Sequence, residues 1–292
     1  MSRADLPSTA PFEAIDSLME AARANRQDPF RKGSLLDMED HGQLVMTGDL
    51  HGNLKNFRKL RTYANLEKTP ARHIILHELL HLPTLLPGQA DPSYWLLIQA
   101  AQYKLEFPEQ VHFLLGNHEV AQLTKRDIVK DGLYSVANFQ QTVLNEYGED
   151  RGHDVLLAVN EFIESMPLAA RTPNRIFLSH SLPDASQMVL FDPKVIGRKW
   201  KIEEAMPGGS VYLLTWGRQR TAQQLDRLAE MYDCDIFIHG HIQQEDGYEV
   251  VEDRVIILAS EHPHGVFLPF DLHKPYTVDS LVANIRKIAS IA

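Results

Sequence analysis

Four short apolar runs in this chain each end in a cluster of glycine, histidine, aspartate, asparagine or serine. The clusters are GDLHGN at 48–53, GNHE at 116–119, SHS at 179–181 and HGH at 239–241. Apolar runs that alternate with helical patterns are typical of an α/β protein. In open α/β sheets, ligands bind at the carboxyl ends of the strands, and we therefore expect the four clusters to converge on one site.

Hydrophobic periodicity along the whole chain supports the α/β fold class. Helices are predicted at 12–25, 53–66, 91–107, 138–166, 221–232 and 277–291. Strands are predicted at 44–47, 74–76, 111–115, 175–179, 235–238 and 255–259. No internal repeat, low-complexity tract or linker rich in glycine and serine interrupts this pattern. We therefore expect a single domain over residues 1–292, with an N-terminal helical extension over about 1–40.

Composition excludes several classes of protein. Of the 292 residues, 44% are hydrophobic and 23% are charged, which is typical of globular proteins and not of disordered or fibrous chains. The single cysteine, Cys234, excludes an internal disulfide framework, and we expect it to pack as a small apolar residue.

The net charge and the hydropathy of the chain argue against two classes of partner, nucleic acids and membranes. The chain carries 29 basic and 39 acidic residues, a formal net charge of −10, and nucleic-acid binders usually present a basic face. We therefore do not expect nucleic acid as a partner. A run of eighteen apolar residues and an export signal are both missing from the sequence, so we expect no membrane association and a cytoplasmic location.

Several residues in the four clusters are of types that ligate metal ions. Asp49 and His51 are two residues apart at a strand exit, where alternate side chains point the same way. Asn117 adds a neutral oxygen, and His180 and His241 add imidazoles. A mixed set of nitrogen and oxygen donors suits Zn, Fe or Mn better than Ca or Mg. A single histidine of this kind is more often structural, but four such clusters in one chain favour a metal site.

The order and spacing of these motifs resemble the calcineurin-like metallophosphoesterase superfamily. Segments 107–119 and 241–249 are similar to those of its serine/threonine protein phosphatase branch, and the resemblance extends over about residues 42–270. It implies a β-sandwich flanked by helices, in four αββα layers. It also implies two metal ions, Mn, Fe or Zn, and a phosphorylated substrate, which can be a protein, a nucleotide or a small molecule.

The resemblance assigns roles to the cluster residues. Asp49 and His51 would ligate one metal, and Asn117, His180 and His241 would ligate the other. His118 would be the catalytic general acid. The reaction implied is hydrolysis of a phosphomonoester, such as phosphoserine or phosphothreonine, by a hydroxide that two metals about 3.5–4 Å apart share.

The second motif of the family departs from its usual Gly-Asp-x-x-Asp-Arg-Gly pattern, because residues 77–83 read HELLHLP. Without a gap, Glu78 takes the metal-bridging position, His81 the position that pairs with the catalytic histidine, and Leu82 the position of the phosphate-binding arginine. The longer Glu78 side chain moves its carboxylate by about 1 Å, whereas catalytic groups tolerate displacements of about 0.5 Å.

The lost arginine needs a replacement at the phosphate, because lysine or metal would substitute for its bidentate clamp only in part. Arg218 and Arg220 are our candidates for substrate binding, and Arg198 is a third. Solvated surface positions are the alternative for all three.

Two further functions compete with hydrolysis of a phosphomonoester. A degenerate relative would bind a phosphorylated ligand without turnover. Residues 77–81 also spell HExxH, the pattern that zinc peptidases carry on a helix. The apolar strand pattern that enters this motif and Pro83 behind it both disfavour a helix. His77 or His81 could instead join the metal site directly.

Overall fold

The computed structural model describes residues 9–86, 88–130 and 132–292. Its strands are β1 (Arg31–Lys32), β2 (Leu35–Asp37), β3 (Gln43–Asp49), β4 (Arg72–His77), β5 (Val111–Leu114), β6 (Val129–Lys130), β7 (Leu133–Tyr134), β8 (Ala169–Arg171), β9 (Ile176–Ser179), β10 (Ile236–His239), β11 (Tyr248–Val251), β12 (Val255–Leu258), β13 (Val266–Asp271) and β14 (Arg286–Lys287). Its helices are α1 (Pro11–Arg26), α2 (Leu54–Ala64), α3 (Tyr94–Glu106), α4 (Asn117–Thr124), α5 (Ser135–Tyr147), α6 (Glu149–Glu164), α7 (Ser210–Trp216), α8 (Ala222–Tyr232) and α9 (Val278–Val282).

Most strands belong to two mixed sheets. One sheet has the order β14-β13-β3-β4-β5, and the other has the order β1-β2-β8-β9-β10-β12-β11. β3, β4 and β5 are parallel neighbours in the first sheet, and β9, β10 and β12 are parallel neighbours in the second. Parallel strands bring their carboxyl ends to the same edge, so each sheet gathers its loops at one side.

Alternation along the strands explains why the two sheets pack face to face. Leu44 and Met46 of β3 belong to the core between the sheets, together with Ile238 of β10. The intervening Val45 and the preceding Phe237 point to the opposite faces, into the core beneath the helices. Because side chains alternate along a strand, each apolar strand supplies both cores, and each sheet is buried on both sides.

Local signals set the helix boundaries. The Asn53 side chain accepts a hydrogen bond from the backbone N–H of Asn56 at 3.0 Å and begins α2. α2 ends at Asn65, which takes the left-handed conformation with φ of 44°. Thr221 and Gln224 form a reciprocal capping box at the start of α8. α1 packs against α3 and α6.

The predicted α/β class is confirmed, with two differences in the helices. The single helix predicted at 138–166 is two helices, α5 and α6, separated by Gly148 with φ of 79°. The helix predicted at 277–291 is wrong beyond α9, because β14 instead pairs with β13 through Lys287 opposite Val266 and Arg286 opposite Phe267. The region predicted as a helical extension contains α1 and the strands β1 and β2, and its place in a single domain stays a prediction.

The single cysteine, Cys234, is buried and free, and burial raises the pKa of its thiol to about 12. In the described part of the chain, every helix is too short or too polar to cross a lipid bilayer.

Candidate metal centre

The clusters predicted from the sequence meet between the two sheets. Asp49 is the last residue of β3, and Glu78 directly follows β4. Asn117 begins α4, just beyond β5. His180 follows β9, and His241 follows β10 after one glycine. The five-stranded sheet therefore supplies Asp49, Glu78 and Asn117, and the seven-stranded sheet supplies the two imidazoles.

Three ligand-type atoms face one another in a tight group. His180 Nε2 lies 2.7 Å from Asn117 Oδ1 and 3.1 Å from His241 Nδ1, and the last two atoms are 2.8 Å apart. Donor atoms at right angles on one ion, with bonds of about 2.1 Å, lie about 3.0 Å apart. The spacing of the three atoms therefore fits a common metal ion.

A second group of ligand-type residues comprises His51 and Glu78, and Asp49 lies with His77 and His180, with ligand atoms within 4.8 Å of one another. His51 Nε2 lies 3.3 Å from Glu78 Oε2. Asp49 Oδ2 accepts a hydrogen bond from the backbone N–H of His241 at 2.7 Å. Asp49 Oδ1 is buried and has no hydrogen-bond partner among the described residues. A buried carboxylate oxygen without a partner is costly unless a cation binds it, so Asp49 fits a metal ligand.

Glu78 stands between the two groups. Its Oε2 faces His51, and its Oε1 lies 3.4 Å from His180 Nε2. The backbone N–H of His118 donates to the same Oε1 at 2.8 Å. The carboxylate thus presents one oxygen to each ligand group, which is the arrangement of a bridging ligand.

The electrostatics of the centre favour a bound cation. Burial raises the pKa of Asp49 and of Glu78, and the negative charge of an acidic neighbour raises each pKa further. Burial lowers the pKa of His180 and His241 well below the usual range. A metal ion needs neutral imidazoles and ionised carboxylates. A bound cation would offset the cost of burying the ionised carboxylates and would leave the neutral imidazoles unchanged. The donor set therefore fits a pair of metal ions.

His118 lies beside this centre in contact with a second imidazole. The Nδ1 atom of His118 is 3.0 Å from Nδ1 of His81, and His81 is fully buried. The ring of His118 also packs edge-to-face against the ring of His51. Burial lowers the pKa of His81 to about 3, so His81 is neutral. The position that the family fills with aspartate therefore holds a neutral imidazole in this chain.

Four residues of the centre have strained backbone conformations. His51, Glu78, His81 and His241 have positive φ values of 41°, 38°, 60° and 69°. This conformation is unfavourable for residues other than glycine and persists only where the surroundings enforce it. Such strain often marks functional sites.

Glu119 enforces the conformation of the loop that carries Glu78. Its Oε1 accepts hydrogen bonds from the backbone N–H groups of Leu79 and Leu80, at 2.7 and 3.2 Å. From the sequence, Glu119 is expected near the site by its position alone, in a structural role and not as a metal ligand or catalytic group. Its position within GNHE, beside Asn117 and His118, was the one available signal.

The candidate arginines differ in how they are engaged. Arg218 is exposed, and its guanidinium has no hydrogen bond or ion pair within the described ranges. Arg218 lies near the centre, because its charge adds to the effect of burial in lowering the pKa of His241. The Arg220 side chain is buried, and it donates to Ser181 Oγ at 2.7 Å. Arg198 is held by Glu204 at 2.6 Å and by Asp192 at 3.2 Å.

The segment 77–81 is not helical, so the HExxH arrangement of a zinc peptidase does not form. His77 is the last residue of β4, and its Nε2 lies 3.0 Å from His180 Nδ1. His81 faces His118 instead. The two histidines therefore contact different members of the centre and do not share a helix face.

Comparisons with known proteins agree with this geometry. The chain is 22% identical over 262 residues to the catalytic subunit of serine/threonine-protein phosphatase 4 of Saccharomyces cerevisiae, covering 80% of this chain and 77% of that protein. It is 22% identical over 242 residues to serine/threonine-protein phosphatase C23G10.1 of Caenorhabditis elegans, covering 78% of this chain. The chain spans only 49% of the length of the latter.

Solved structures show the same fold. A serine/threonine phosphatase of Saccharomyces cerevisiae, described as similar to human phosphatase PP5, matches 89% of this chain and 82% of its own, with a TM-score of 0.63 and 15% identity. A cold-active protein-tyrosine phosphatase of a Shewanella species matches 90% of this chain and 84% of its own, with a TM-score of 0.55 and 14% identity. The predicted sandwich of two sheets flanked by helices is thereby confirmed.

The family comparison covers the part of the chain that holds every proposed ligand. The calcineurin-like phosphoesterase family matches residues 43–245, which is more than half of the chain. The match begins at β3 and ends just beyond His241. This chain belongs to the calcineurin-like phosphoesterase family.

Proposed function

We propose that the chain is a dimetal phosphoesterase that hydrolyses phosphomonoesters. The observation that carries this proposal is the position of Glu78, with one carboxylate oxygen toward His51 and the other toward His180. The sequence raised the concern that a longer side chain would not fit the bridging position. The distances of 3.3 and 3.4 Å support a bridging role for glutamate in this chain.

The ligand groups divide between two ions. Asp49 and His51 would hold the first, Asn117, His180 and His241 would hold the second, and Glu78 would contact both. When bound, a metal pair supplies Lewis acidity to the phosphoryl oxygens and lowers the pKa of the attacking water. The mixed donors suit Mn, Fe or Zn.

Two side chains outside the ligand groups would act on the substrate. His118 would donate a proton to the leaving oxygen, which avoids the release of an alkoxide. Arg218 would bind the phosphoryl group, because its guanidinium is exposed beside the centre and has no partner in the described part of the chain. Arg220 would support this loop through Ser181 and not reach the phosphate.

Phosphoserine or phosphothreonine in a protein is our proposed substrate. The similarity to serine/threonine phosphatases supports it, and a nucleotide or a small phosphate ester would meet the same groups. The cytoplasmic location expected from the sequence stays a prediction.

Phosphatase assays on metal-loaded protein test this proposal. Purified chain with Mn²⁺ should hydrolyse para-nitrophenyl phosphate and a phosphoserine peptide. Asp49→Asn should abolish this activity, because it removes the charge that the first ion requires. Asp226→Asn is the matched control, since Asp226 is exposed and pairs with Arg254 on the surface.

Failure would be clear in the same experiment. Activity with Mn, Fe and Zn no greater than that of Asp49→Asn would reject the enzyme. Phosphopeptide binding by the inactive protein would then indicate a ligand-binding relative without turnover.

A further inference from the structure

His77 lies in the protein interior, in contact with the proposed metal ligand His180. Its side chain is fully buried at the end of β4. Its Nε2 lies 3.0 Å from Nδ1 of His180, and the two rings are nearly perpendicular, at 88°. This contact joins the five-stranded sheet to the seven-stranded sheet.

The geometry of His180 determines which of its nitrogens carries a proton. Its Nε2 faces Asn117 Oδ1 and His241 Nδ1, so a lone pair is needed there for a shared metal ion. A neutral imidazole then carries its proton on Nδ1, and this proton needs an acceptor. His77 Nε2 is at hydrogen-bond distance, whereas Asp49 Oδ1 is 3.7 Å away.

The other nitrogen of His77, Nδ1, faces Asp49, a proposed ligand of the first ion. His77 Nδ1 lies 3.8 Å from Asp49 Oδ1 and has no hydrogen-bond partner among the residues described. A Cβ at position 240 would lie 3.0 Å from this nitrogen and 2.1 Å from Asp49 Oδ1. Any side chain at position 240 would therefore collide with the Asp49 carboxylate and crowd the His77 imidazole, and glycine leaves room for both.

We propose that His77 is a positioning residue that accepts a hydrogen bond from His180 Nδ1–H and thereby strengthens binding of the second ion. The bond would fix the tautomer of His180 and the direction of its Nε2 lone pair. Outer partners of this kind typically change metal affinity by 10–100-fold. This inference rests on the two-metal centre of the proposed function.

Two amide variants separate a hydrogen-bond acceptor from a space-filling group. In His77→Gln, the side-chain oxygen can reach the position of Nε2, whereas the shorter side chain of His77→Asn reaches only the position of Nδ1. We expect His77→Asn to weaken binding of the second Mn²⁺ by about 10–100-fold and His77→Gln to remain within about threefold of wild type. Free Mn²⁺ is measured by electron paramagnetic resonance during titration.

His73→Asn is the matched control, because His73 is a buried histidine of the same strand whose contacts are with Glu39 and His112. It should leave both Mn²⁺ affinities unchanged. Equal affinities in His77→Asn, His77→Gln and wild type would overturn the proposal. A wild-type chain that binds one ion or none would contradict both this proposal and the proposed function.

A double-mutant cycle identifies the ion that His77 serves. In an Asn117→Ala, His241→Ala background, in which the second site keeps only His180 and the shared Glu78, His77→Asn should have no further effect on Mn²⁺ binding. Weaker binding of the remaining ion would place His77 at the first site and overturn the proposal.

Nuclear magnetic resonance of zinc-loaded wild type provides a test without any substitution. A proton on Nδ1 of His180 is expected, and its absence would overturn the proposal whether or not the variants fold.

Discussion

At the scale of single residues, the unusual feature of this centre is that imidazoles contact imidazoles. His118 faces His81, and His180 faces His77, each at 3.0 Å. An aspartate beside a histidine favours the charged imidazolium, whereas a neutral imidazole offers only a hydrogen bond. The proposed proton donor His118 therefore lacks the carboxylate partner that the family pattern would give it.

Replacement of His118 should affect substrates according to their leaving groups. We expect His118→Gln to lower kcat by about 10²–10⁴ for a phosphoserine peptide, because an alkoxide needs a proton to leave. The loss should be much smaller for para-nitrophenyl phosphate, since para-nitrophenolate leaves without one. Steady-state kinetics on both substrates checks this, and equal losses on the two would argue against the general-acid role.

At the scale of elements, α4 and the loop after β4 act as one unit. Glu119 of α4 holds the N–H groups of Leu79 and Leu80, and Glu78 accepts the N–H of His118 in return. The strained residues Glu78 and His81 flank the two N–H groups that Glu119 holds, and the His81 N–H is held by Ser93 Oγ at 3.0 Å. The bridging carboxylate is thus positioned by its neighbours and not by its own local preference.

Removal of the Glu119 carboxylate should release the loop. We expect Glu119→Ala to lower the free energy of unfolding by about 1.5–3 kcal/mol and to reduce the bound metal, because two buried N–H groups lose their acceptor. Glu119→Gln retains an acceptor oxygen and should lose less of both. Urea unfolding and metal analysis give the two measurements. Similar values for Ala and Gln would refute the hydrogen-bond explanation.

The elements also show what could be inferred from sequence. The strands that end in site residues were predicted because apolar runs meet metal-ligand residues there, as at Asp49. The edge strand Arg286–Lys287 was missed, because two basic residues pair with β13 only through tertiary contact. The role of His77 was left open, because the orientation of its ring depends on β9 of the other sheet.

At the scale of the whole molecule, a second buried polar network lies at the opposite ends of β4 and β5. Asp28, just after α1, accepts hydrogen bonds from His112 at 2.9 Å and Lys104 at 2.8 Å. His112 also contacts His73, which bonds Glu39. This network connects the segment after α1 with α3 and with the five-stranded sheet.

Acid should destabilise the protein through His112. Burial lowers the pKa of this imidazole from 6.5 to about 4, although Asp28 opposes the shift. The unfolded chain binds a proton near pH 6.5 and the folded chain does not, so stability falls as pH decreases across this window. The loss amounts to about 3 kcal/mol by pH 4. Asp28 has a lowered pKa because His112 and Lys104 outweigh its burial, so it adds a loss only below about pH 4.

His112→Asn isolates this contribution, because its amide still donates to Asp28 but does not titrate. Urea unfolding at pH 7 and pH 4, with a chelator present, should show about 3 kcal/mol less pH dependence in the variant. The histidines of the metal centre affect both proteins alike and cancel. An unchanged pH dependence would show that His112 does not control it.

The location of the centre between the sheets has a consequence for the lifetime of the protein. Asp49 and Glu78 come from one sheet and His180 and His241 from the other, so ions bound by both sets would fasten the halves of the sandwich to each other. Ligands that bind only the native state stabilise it by mass action. Scarcity of the metal would therefore remove the proposed activity and also expose the chain to proteolysis, so that abundance and activity decline together.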